Sequence, residues 1–128
     1  MRYGDDGAQT FAMDRRLFLQ AYVAADGYPQ TLQSAESLIR RIGSVAAVRE
    51  CRVRPYNKFE DQYGVWLDLD AARPAAAFEA LLADLAQGWR AEGEGGERFA
   101  VWDGRLHGAA FLPALRWLHL NLHPAADD

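Results

Sequence analysis

The chain has 128 residues, half of them apolar and fifteen aromatic, a length and composition that suit one packed domain and exclude an intrinsically disordered chain. Eighteen acidic against fourteen basic side chains give a net charge of −4, which argues against a nucleic-acid binder that works through phosphate contacts. No stretch approaches the ~20 apolar residues of a membrane span, and Met1 to Thr10 lacks the apolar run of a signal peptide, so a cytoplasmic protein is expected.

The expected organisation is a single α+β domain over 10–123, with flexible tails at 1–9 and 124–128. From Asp14, the residues Leu17, Phe18, Ala21, Tyr22 and Ala25 fall at helical spacing, and Gly27 with Pro29 would stop the helix. Leu17, Leu19, Ala21 and Val23 also alternate, which leaves a strand as the competing reading. Thr31 is expected to cap a helix with the stripe Leu32, Ala35, Leu38, Ile39 and Ile42, ended by Gly43.

Val48 to Tyr56 and Tyr63 to Leu69 read as two strands joined by a polar tip, Asn57 to Gln62, in a long hairpin. On the first, Cys51 and Val53 share a face opposite Glu50, Arg52 and Arg54; on the second, Trp66 and Asp68 stand opposite Val65, Leu67 and Leu69. Pro74 suits the first turn of a further helix whose stripe is Phe78, Leu81, Leu82 and Leu85, with Gly88 beyond it. Trp89 to Glu92 and Arg98 to Asp103 read as a short hairpin around Gly93 to Gly96, with Phe99 and Val101 opposite Trp102. Leu115 to His123 alternates Leu118, Leu120 and Leu122 against Trp117, His119, Asn121 and His123, a strand pattern that competes with a helix from Pro113. Together these elements predict a mainly antiparallel sheet of about five strands with two or three helices on one face.

Candidate chemistry is sparse. His119 and His123 are four apart, a zinc-compatible spacing on a helix but ~13 Å on a strand, and no cysteine cluster or His-Glu-x-x-His pattern accompanies them. No metal or cofactor is therefore expected. Cys51 is the only cysteine, which excludes an internal disulfide, and its apolar parity predicts a buried thiol rather than a nucleophile. The carboxylates Glu60-Asp61 and Asp68 with Asp70 carry no sign of burial, so they read as solvated, with Asp70 a candidate helix cap. A cationic stripe of Arg49, Arg52, Arg54 and Lys58 is broken by Glu50, Glu60 and Asp61, which weakens a nucleic-acid platform.

What remains is the outward set Trp66, Trp102 and Trp117, either core beneath helices or a binding surface, and the tip residue Phe59, which has no evident core role. The function expected from this is a non-catalytic domain that binds one protein partner through Phe59, Glu60, Asp61, Trp66, Asp68 and Trp102. An immunity protein or antitoxin that occludes the basic site of a bacterial toxin would have this size, charge and lack of chemistry. The alternative is a small enzyme or ligand-binding domain using His107, His119 or His123 with Asp103 as acid–base groups in a pocket between sheet and helices.

Overall fold

A computed structural model describes residues 15–56, 58–94 and 97–124. In chain order the elements are β1 (Arg15–Ala24), α1 (Tyr28–Ile42), β2 (Ala47–Pro55), β3 (Gln62–Asp70), α2 (Pro74–Leu85), β4 (Arg90–Glu94), β5 (Glu97–Asp103) and β6 (Leu115–Pro124). The strands make one antiparallel sheet in the order β2-β3-β1-β6-β5-β4. The class is α+β, with six strands rather than five and two helices among the described residues. Strands β1 and β2 run parallel with β3 between them, and β3 and β6 run parallel with β1 between them, so each helix belongs to a split βαβ unit. The β4–β5 hairpin is inserted before β6 and lengthens the sheet on that side. Among the described residues, no helix is long and apolar enough to cross a membrane.

The first element is a strand, which corrects the helical reading of 14–25. Its apolar residues satisfy both periods, and the sheet decides between them. Leu17, Leu19, Ala21 and Val23 are all fully buried between β3 and β6, where a strand hydrogen-bonds both neighbours. Gly27 and Pro29 then open α1 instead of ending a helix, because a proline is tolerated where the first-turn N–H groups have no intrahelical partner. Thr31 is consequently inside the helix and does not cap it; its buried hydroxyl donates to the Gly27 carbonyl at 2.9 Å. Nor does Asp70 cap α2, whose N-cap position is Arg73. At the other end of α2, the Trp89 indole N–H donates to the carbonyls of Leu82 and Ala86, closing the helix, and the strand begins one residue later.

Both helices pack on the same side, over Leu17, Leu19, Val65, Leu67, Leu118, Leu120 and Leu122, with Leu38, Ile42, Phe78, Leu81 and Leu85 pressed against them. Fully burying side chains of this size contributes about 1.5–3 kcal/mol each, so this layer dominates the stability. Pro124 closes β6 opposite Arg15, and so belongs to the sheet and not to a tail. The expectation of flexible tails at 1–9 and 125–128 lies outside the described residues.

Candidate functional site

Because side chains alternate along each strand, the polar and aromatic parities of β1, β3 and β6 are delivered to the side that no described helix covers. The cross-strand register arranges that face in rows. One row runs Arg52, Trp66, Gln20, His119, Val101, Arg90 from β2 to β4. The next, two residues along, runs Glu50, Asp68, Phe18, Asn121, Phe99, Glu92. On the other side lie Arg54, Gly64, Tyr22, Trp117 and Asp103.

Two features stand out on this face. The first is a chain of aromatic contacts from the hairpin tip across the sheet. Phe59 lies 5.7 Å from Tyr56, Tyr56 stacks on Tyr22 at 4.0 Å, Tyr22 meets Trp117 at 5.2 Å, Trp117 meets His119 at 5.8 Å, and His119 meets Phe99 edge-on at 5.7 Å. The four longer separations are within the range of favourable ring pairs, and Tyr22 and Tyr56 stack more closely still. Burial among the rings lowers the pKa of His119 and, together with the neighbouring Tyr56, raises that of Tyr22, whose hydroxyl accepts a hydrogen bond from Gln20. At the tip, Phe59 is 50% exposed, and Glu60 and Asp61 are exposed beside it. The tip is nonetheless held: the Asp61 carbonyl accepts from the Ala25 N–H at 3.0 Å, and the Gln62 carbonyl from the Tyr56 N–H.

The second feature is a groove of about 580 Å³ over β2, β3 and β1, lined by Arg16, Phe18, Glu50, Arg52, Arg54, Trp66, Asp68 and His123. Arg16 pairs with Asp68 at 2.9 Å and Arg52 with Glu50 at 3.0 Å. Arg54 has no ion-pair partner among the described residues, which leaves the groove with one uncompensated positive charge in a chain of net charge −4. The indole of Trp66 leans along the sheet over Gly64: a methyl group at Gly64 would sit 2.5 Å from Trp66 Cη2 and 3.2 Å from Tyr22 Cε1. Glycine there is what lets the indole lie down beside Arg54 and edge-on to Tyr22.

Of the residues singled out from sequence, Trp66 and Asp68 stand together in the groove, while Phe59 reaches Trp66 through Tyr56 and Tyr22. Trp102 does not join them. It is 3% exposed on the helix side, opposite Leu118, and its indole N–H donates to the Gly108 carbonyl at 3.0 Å. Phe99 and Val101, expected inward, face outward instead, because the loop after β5 covers the Trp102 side. Cys51 is also corrected. Its parity is that of buried Leu67, as expected, but β2 is the edge strand and no helix covers this position, so the residue is exposed; partial desolvation raises the thiol pKa.

Of the acid–base groups in the alternative reading, His107 is brought beside Asp103, while His119 and His123 are not gathered with them. His107 lies in the turn after β5, where Nδ1 accepts from the Asp103 backbone N–H, and hydrogen bonds from the Arg105 side chain and backbone N–H hold the Asp103 carboxyl below its ordinary range. His119 and His123 share the uncovered side of β6, in different rows. Among the described residues, no group of three or more His, Cys, Asp or Glu side chains is arranged to hold a metal ion. Arg16, Phe18, Gln20 and Tyr22 were hidden from sequence reasoning by the helical reading of β1; its second alternation, Arg16-Phe18-Gln20-Tyr22, was the available signal. No protein-family model matches the chain, and no curated protein or solved structure is significantly similar to it.

Proposed function

We propose that this protein is a non-catalytic binding domain that holds a protein partner on the uncovered face of its sheet and the adjoining hairpin tip. The observation that carries this reading is the aromatic chain from Phe59 to Phe99, a connected set of large rings on a face that no helix among the described residues covers. Contiguous aromatic surface costs solubility and is concentrated at interfaces, where it supplies most of the binding energy. The narrower version, an immunity protein or antitoxin whose tip fills the basic site of a toxin, is supported by exposed Glu60 and Asp61 flanking Phe59 and by the net charge of −4.

The test begins with partner capture by the full chain from the source cells, followed by affinity measurements on variants. Phe59→Ala and Trp117→Ala should each weaken association by about thirtyfold, equivalent to ~2 kcal/mol, while Phe59→Ala leaves thermal unfolding within ~0.5 kcal/mol of the parent. Charge reversal at Glu60 and Asp61 should slow association in a salt-dependent way if the opposing surface is basic. Association that survives all of these changes would place the contact surface elsewhere.

A further inference from the structure

We propose that the arginine groove is the docking site for an extended acidic segment of the partner, about six residues long, lying along the strands. This rests on the reading that a protein partner binds the uncovered face, and it adds the chemistry of one part of that partner. The groove spans three row steps from Arg54 to Arg16, roughly 20 Å at ~3.3 Å per residue, which is the reach of about six extended residues.

Its chemistry alternates as such a segment would. Arg54 stands without an ion-pair partner among the described residues, Arg52, paired with Glu50, lies two residues further along, and beside these cations the Trp66 indole on β3 and the 43% exposed ring of Phe18 on β1 offer apolar contact. Guanidinium groups bind carboxylates with paired, directional N–H donors, so Arg54 and Arg52 select acidic side chains at a two-residue interval. Arg16 contributes at the far end: Nη2 satisfies Asp68, while Nε is buried and donates to nothing, so a carboxylate that turns this guanidinium would satisfy a donor left unpaired in the free chain. Glu50 and Asp68 in the same groove repel a continuous polyphosphate, whereas a peptide can place its carboxylates beside the arginines and apolar side chains elsewhere.

The test is selection of random octapeptides displayed on phage against the full chain, with the recovered peptides synthesised, labelled and titrated by fluorescence anisotropy. Recovered sequences should alternate Asp or Glu with apolar residues. Their affinity should fall at least about tenfold in R52E/R54E and in R54E alone, fall by less in Arg54→Lys, which keeps the charge but loses the paired donors, fall with added salt, and survive Phe59→Ala. Arg52 and Arg54 are exposed on the edge strand, so thermal unfolding should stay near that of the parent. Recovery of basic or uncharged sequences, recovery of none, or acidic sequences that bind the charge-reversed chain equally would overturn the proposal. So would a labelled twelve-residue oligothymidine that binds more tightly than the peptides and is lost in R52E/R54E. Failure here leaves partner binding through Phe59 and Trp117 standing, while loss of that binding with peptide docking retained separates the two in the other direction.

Discussion

Neighbouring residues of β1 live in opposite surroundings. Leu19 is wholly buried under the helices, while Phe18, one residue earlier, is 43% exposed in the groove. The same split runs through β3, where Leu67 is buried and Trp66 lies against the groove, and through β6, where Leu118 is buried and Trp117 carries the aromatic chain. One side of each strand supplies the folding energy, and the other is free to carry residues chosen for something else.

Adjacent truncations give the sharpest measure of that split. Leu19→Ala should destabilise the fold by about 2–5 kcal/mol, since it removes buried methyl groups and leaves a cavity; Phe18→Ala should cost ~1 kcal/mol or less. Chemical unfolding of both variants checks the comparison, and equal losses would break it.

Gly64 is where the two sides meet, and Gly64→Ala should cost about 1–3 kcal/mol unless the indole swings away, because the added methyl overlaps the Trp66 ring. A red shift in tryptophan emission with little loss of stability would show that the indole moved into solvent, and weakened peptide docking should accompany it.

Position within the sheet matters as much as parity. Cys51 and Leu67 are cross-strand partners, yet only Leu67 is buried, so a thiol reagent should modify the native chain without prior unfolding. The raised thiol pKa should make the reaction slower at neutral pH than that of a free thiol and accelerate it as pH rises. Protection until denaturation would mean that β2 is covered.

The smallest expected effect is at His119. Burial lowers its pKa in the folded chain, so the proton binds the unfolded chain more readily. Its contribution is full above the ordinary histidine value of about 6.5 and is lost as pH falls through the lower folded value. His119→Gln should flatten that part of the stability profile, measured by unfolding at stepped pH.

The proline-led stripe of α2 was legible from the chain because it satisfies one period cleanly, and the alternation of β6 was legible as the stronger reading beside a helix from Pro113. At β1 the pattern satisfied two periods, and only the flanking strands β3 and β6 decide between them. Trp102 and Cys51 were misplaced for a shared reason: parity assigns a side of the sheet, but cover comes from segments distant in sequence, here the loop that receives the Trp102 indole and the edge position of β2, which leaves Cys51 exposed. The stripe Arg52, Arg54 was visible, but its joining with Arg16, Trp66 and His123 required the strand order. An acidic average likewise conceals a cationic groove.

Among the described residues the sheet ends on β2 and β4, and the outer edge of a terminal strand invites strands from other molecules. Along β2 the pairing register shifts between Val48 and Glu50, Pro55 supplies no N–H, and Glu50, Arg52 and Arg54 place charges at successive outward positions. The opposite edge, β4, is only five residues long and includes Gly93 with φ of 91°. Such interrupted margins resist strand addition by another copy of the chain.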